Sequence, residues 1–123
     1  MKNRFAMMVA LLFSVLSIAD AAAQPAFPKS FRTQTVATAD GTGIFVRSGG
    51  AGPAVVLIHG FGDTGDMWVP LAVELAKSHT VIVPDLRGMG RSSKAAGGYE
   101  KKSEATDIRA VVTALEDDQA AQV

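Results

Sequence analysis

Apolar positions in this chain fall into short runs separated by glycine-rich breaks. Residues 54–58, AVVLI, form an apolar run too short for a helix, bounded by Gly52-Pro53 on one side and Gly60 on the other. Such a run predicts a buried strand of a parallel sheet. It breaks into His59-Gly60-Phe61-Gly62, a turn whose glycines can take positive φ and let another group approach the backbone. From there the spacing of Trp68, Leu71, Ala72, Leu75 and Ala76 predicts a helix over about 66–77, with Asp66 as its N-cap. Residues 80–83, TVIV, predict a second short strand ending at Pro84-Asp85. Asp85 opens another glycine-bearing loop, DLRGMGRSS over 85–93. Beyond Gly97-Gly98-Tyr99, the stripe Ile108, Val111, Val112 and Leu115 predicts a last helix over about 103–117, with Ser103 as its cap.

Ahead of the central run, 31–39 (FRTQTVATA) and 44–48 (IFVRS) read as two strands joined by the turn signal Asp40-Gly41-Thr42-Gly43. The order is an antiparallel hairpin followed by β-α-β-α, which is an α/β fold. Gly49-Gly50-Ala51-Gly52-Pro53 is a breaker cluster and not a phosphate loop, because no Gly-Lys-Ser/Thr follows it.

The first 23 residues alter the domain division. Lys2 and Arg4 precede a 14-residue apolar stretch (5–18), and Ala21-Ala22-Ala23 supplies small residues before Gln24. This is the pattern of a secretory signal peptide cleaved after Ala23, and 14 residues fall short of the roughly 20 that span a bilayer. The expected organisation is a signal peptide over 1–23, a flexible leader over 24–30 and an α/β domain over 31–123. The mature product is expected to be secreted or periplasmic, with no stable membrane anchor. Cleavage would remove Lys2, Arg4 and Asp20, leaving 10 basic and 11 acidic residues, a net charge of −1 that argues against nucleic acid or an anionic membrane as partner. Cysteine is absent, so the oxidising compartment is not used for disulfides.

His59-Gly60-Phe61-Gly62, paired at this spacing with Asp85-Leu86-Arg87-Gly88-Met89-Gly90-Arg91-Ser92-Ser93, resembles the N-terminal part of the α/β-hydrolase superfamily. The closest likeness is to the branch of epoxide hydrolases, haloalkane dehalogenases and related esterases; Tyr99-Glu100-Lys101-Lys102 leading into Asp107-Ile108-Arg109 is similar to epoxide-hydrolase-like members. The resemblance implies that the backbone N–H of Phe61 supplies half of an oxyanion hole and that its ring lines the pocket. It implies further that the triad histidine comes last in the chain, so His59 is expected to fix its loop rather than act as base. Asp85 and Arg87 are expected to pair and hold the second turn, with Gly88 and Gly90 supplying its backbone freedom and Gly60 and Gly62 doing so in the first. His79 is expected to face solvent, Trp68 to lie in the core, and Ser92 and Ser93 to be no nucleophiles.

The resemblance places the nucleophile after the next strand, beyond Val123, and the triad acid and base further on. No catalytic nucleophile, acid or base is therefore expected in this chain, which reads as an N-terminal portion supplying the oxyanion-hole loop for a small-molecule substrate of the full-length protein. On its own it is expected to be inactive, and marginal or aggregation-prone at an unpaired sheet edge. Neither an aspartate nucleophile (epoxide or carbon–halogen substrates) nor a serine (esters) is excluded. The alternative is a non-catalytic remnant or interaction module keeping half the sheet. No organic cofactor is suggested, and His59 and His79 have no ligand cluster that would hold a metal.

Overall fold

The computed structural model describes residues 25–122; the signal-peptide segment lies outside the described residues. Four strands, β1 (Arg32–Ala37), β2 (Gly43–Gly49), β3 (Ala54–Val56) and β4 (Thr80–Pro84), form one sheet in the order β1-β2-β4-β3. β1 and β2 make the predicted antiparallel hairpin, with Val36 opposite Ile44 and Arg32 opposite Ser48. Its turn is closed by Asp40, whose Oδ1 accepts from the Thr38 hydroxyl (2.7 Å) and the Thr42 N–H (3.0 Å). β4 runs antiparallel to β2 and parallel to β3, so the sheet is mixed, with its one parallel pair at the β3 edge. β3 is shorter than expected, three residues, although Leu57 N–H still donates to Ile82 O at 2.9 Å.

Side chains alternate across this sheet, and both of its faces are covered. On one face Val81 and Val83 pack with Leu57, Phe31 and Ala72 under α1 (Val69–Leu75). On the other, Ile82 joins Ile44, Val46 and Val111 under α2 (Lys101–Ala120). Phe27 also belongs to the first cluster, its ring centroid 5.1 Å from that of Phe31, so the segment read as a leader contributes to the core.

Both helices start elsewhere than the apolar spacing predicts. A single 3₁₀ turn, Gly65–Trp68, precedes α1, and Thr64 rather than Asp66 caps it by accepting from the Asp66 N–H. A 3₁₀ turn winds 120° per residue against 100° for an α-helix, so the face shifts. Val69 and Ala72 are buried as a result, while Leu71, placed on the inner face by an α-helical count, is 43% exposed. Trp68 does pack against the core, and its Nε1 has no acceptor among the described residues. α2 begins two residues before Ser103, whose hydroxyl donates instead to the Glu100 carboxylate at 3.0 Å. Among the described residues, no helix is long and apolar enough to cross a membrane.

Candidate functional site: two strand-tip loops

Because β3 and β4 are parallel, the loops that leave them lie on one rim of the sheet. Each begins with a tight turn of the same kind. After β3, the Asp63 N–H donates to Gly60 O (3.3 Å) and the third turn position, Gly62, has φ 78°. After β4, the Met89 N–H donates to Leu86 O (3.0 Å) and Gly88, also third, has φ 76°. A positive φ at that position alone marks a type II turn, which requires glycine there.

His59 ties the two loops together. Its ring is buried; Nε2 accepts the Leu86 N–H at 2.9 Å while Nδ1 lies 2.8 Å from Gly60 O. Through these two contacts the ring joins the first loop to the start of the second. The Phe61 ring beyond it stands 95% exposed, and among the described residues the Phe61 N–H has no acceptor. An ideal Cβ on Gly60 would meet nothing within 4 Å, and Gly60 is itself exposed.

The expected Asp85–Arg87 pair does not form. Asp85 sits at the end of β4 with its side chain on the α1 face, where Oδ1 accepts from Arg47 Nη1 (2.9 Å) and the Gly65 N–H (2.7 Å), and Oδ2 from the Arg91 N–H (3.0 Å). Arg87 points to the opposite face and grips Asp107 of α2 through Nε and Nη2, both at 2.7 Å. Its Nη1 reaches Asp40 Oδ2 and Gly97 O, each at 2.9 Å. Two residues apart on a turning backbone, the two charges diverge to separate partners on separate faces. Their ionic partners are Arg47 and Asp107, which the motif does not contain.

Space around these ions is restricted. A Cβ on Gly90 would strike the Asp85 carboxylate, and one on Gly88 would come within 2.6 Å of the Tyr99 ring. Arg47 is itself buried on β2, with its guanidinium 5.2 Å from the Phe27 ring centroid, 4.8 Å from that of Phe45, and 2.8 Å from exposed Asp66. Ser92 and Ser93 brace the loop against β2: their hydroxyls accept the N–H groups of Phe45 (2.9 Å) and Gly43 (3.2 Å). His79 lies at the other end of β4, half-buried rather than facing solvent, against the Ser78 hydroxyl at 2.9 Å. A groove of about 690 Å³ between Arg32, Thr80, Leu115 and Asp118 is also at that far end and holds none of the motif residues. Among the described residues, no three metal-ligating side chains cluster.

Burial alone would raise the Asp85 carboxyl, but donation from Arg47 and from the N–H groups of Arg91 and Gly65 wins and holds it below the usual value of 3.8. Asp40 is lowered as well, by Thr42 and Thr38 first and by Arg87 after them. A depressed carboxyl binds its proton later in the folded than in the unfolded protein, so its contribution is complete above the unfolded value and is lost as pH falls through the folded one. The urea midpoint is therefore expected to stay level from about pH 7 to pH 5 and to drop below about pH 4, where the unfolded carboxylates begin to bind protons. Tryptophan fluorescence in urea at stepped pH checks this.

The sequence profile of the alpha/beta hydrolase fold family matches residues 53–123, and the chain belongs to that family. It is 42% identical over 66 residues to a soluble epoxide hydrolase of Corynebacterium sp., covering 54% of this chain and 23% of that one. It is 42% identical over 72 residues to a fluoroacetate dehalogenase of Burkholderia sp., covering 54% and 24%. An esterase structure from Exiguobacterium antarcticum superposes with a TM-score of 0.66 at 31% identity, over 69% of this chain and 32% of that chain. The chain thus spans about a quarter of the length of these curated relatives and corresponds to the N-terminal portion of the fold.

Proposed function

We propose that this chain is the front part of an exported hydrolase, in which the Phe61 N–H stabilises negative charge developing on a small-molecule substrate. One observation carries the reading: an unengaged N–H on a loop that is pinned to its neighbour at the shared rim of two parallel strands. An N–H fixed by the fold meets new charge without having to reorganise as the charge appears. The nucleophile, acid and base lie outside this chain, and the activity belongs to the whole protein. The named relatives, an epoxide hydrolase, a dehalogenase and an esterase, support an epoxide, carbon–halogen or ester substrate. The pattern of Lys2, Arg4, residues 5–18 and Ala21 to Ala23 supports export.

The test compares two variants of the full-length gene product on an aryl ester and an aryl epoxide. Phe61→Ala keeps the N–H and is expected to retain kcat within a few fold; Phe61→Pro deletes it and is expected to lower kcat by about 10²–10³. Circular dichroism of both variants guards against misfolding. Equal kcat in the two variants would remove the oxyanion role, and no turnover of either substrate by the wild type would remove the hydrolase reading.

A further inference from the structure

The bonds around His59 fix its chemical form. The Leu86 backbone N–H can only donate, so Nε2, 2.9 Å away, carries a lone pair and no proton. The Gly60 carbonyl can only accept, so Nδ1, 2.8 Å away, carries the proton. The ring is buried, and both of its nitrogens are occupied by backbone groups. A neutral imidazole in the Nδ1–H tautomer satisfies both contacts at once.

The carbonyl that Nδ1–H holds belongs to the same peptide unit as the Phe61 N–H. In a trans peptide the C=O and N–H point in opposite directions, and the described residues contain no cis bond. The Gly60 oxygen is drawn inward by two donors, the His59 ring and the Asp63 N–H at 3.3 Å. The Phe61 N–H is consequently turned outward, away from the His59 ring, at a point where Gly60 and Phe61 are both exposed. Gly60 lacks a Cβ and is free to rotate about its own ψ, so its sequence alone does not set this peptide plane. Of the two donors, the ring provides the shorter contact, and it is anchored at its other nitrogen to the neighbouring loop.

We propose that His59 is a positioning residue: locked as the Nδ1–H tautomer by Leu86, it sets the plane of the Gly60–Phe61 peptide and thereby aims the Phe61 N–H. The inference rests on the hydrolase reading for its catalytic consequence, while the tautomer and the peptide plane stand on geometry alone. The two ring nitrogens do separable work. Nε2 joins the loops and supports stability; Nδ1 orients the donor.

Two side chains separate these tasks. His59→Asn places an amide N–H near Nδ1, keeping the bond to Gly60 O and leaving the Leu86 N–H unpaired. His59→Gln places an amide oxygen near Nε2, keeping the bond from Leu86 and losing the hold on Gly60. In the full-length gene product labelled with ¹⁵N-histidine, wild-type His59 is expected to show a protonated Nδ1, a bare Nε2, and a scalar coupling from Nε2 to the Leu86 amide. The Phe61 amide resonance is expected to remain near its wild-type position in the Asn variant and to move in the Gln variant. On a substrate the wild type turns over, the Gln variant should lose kcat by about 10² with KM little changed. The Asn variant should keep most of its kcat and lose thermal stability instead, the reverse of what a merely structural histidine would give. A protonated Nε2 in the wild type, or an unmoved Phe61 amide in the Gln variant, overturns the proposal whether or not any substrate is found. Turnover of neither substrate by the wild type, with the tautomer as expected, overturns only the hydrolase reading.

Discussion

Arg87→Met is expected to cost about 3–5 kcal/mol of folding stability, the range for removing one partner of a buried ion pair. Arg87 and Asp107 are each 3% exposed, and their two parallel contacts at 2.7 Å leave the carboxylate no water to fall back on. Methionine fills much of the arginine stem's volume, so the loss is that of charge and hydrogen bonds rather than of packing. Against a total of about 5–15 kcal/mol for a typical domain, the single change is close to unfolding the protein. Arg87→Lys should not rescue it, because an ammonium cannot make the bidentate contact while also reaching Asp40 and Gly97. Removing both charges, Arg87→Met with Asp107→Leu, should recover part of the loss, since a buried pair exchanged for apolar groups is often neutral. Urea unfolding of the wild type, Arg87→Met, Asp107→Leu and the double variant gives the coupling directly.

Asp85→Asn is expected to be comparably damaging, at about 3–5 kcal/mol, for a different reason. Every group facing this carboxylate is a donor: Arg47, the Gly65 N–H and the Arg91 N–H. An asparagine amide must turn its NH₂ toward at least one of them, placing donor against donor where Asp85 itself is fully buried. Arg47 keeps Asp66, but that partner is 59% exposed and offers little in exchange. The thermal midpoint of the variant checks the magnitude. The acid-dependent part of the stability should shrink in the same variant, because asparagine does not titrate.

These two ion pairs also mark how far the sequence could be read. The element order and the two glycine loops were legible because apolar runs of four or five residues ending in glycine have few other solutions, and the hairpin turn announces itself at Asp40-Gly41. Arg47 was not legible. In IFVRS it looks like the polar member of an alternating edge strand, whereas β2 lies inside the sheet with both faces covered, and an inward charge there has to find a carboxylate. That Arg47 faces the same side as Phe45 and Phe27, and that Asp85 closes the adjacent strand, is a matter of register between β2 and β4, which no local pattern carries. Asp107 was hidden in a similar way: on α2 it precedes the apolar stripe and reads as solvated, yet with Glu104 and Val111 it lies on the buried face. A carboxylate three or four residues from an apolar stripe, in a chain that also carries a loop arginine, is the one signal that pointed there. Leu71 failed for a third reason, the 3₁₀ turn that changes the count before α1 begins.

Among the described residues, β3 has a hydrogen-bonded neighbour on one flank only. The other flank offers a ruler of backbone donors and acceptors with a fixed polarity. A strand arriving by a right-handed crossover would have to dock parallel to it. Its carboxyl end would then be delivered beside the His59 bridge, irrespective of which residue it carried. On the proposed function, the berth for a reacting group would thus be surveyed by the sheet before that group is chosen, and chemistry could be exchanged there while the docking geometry stayed the same.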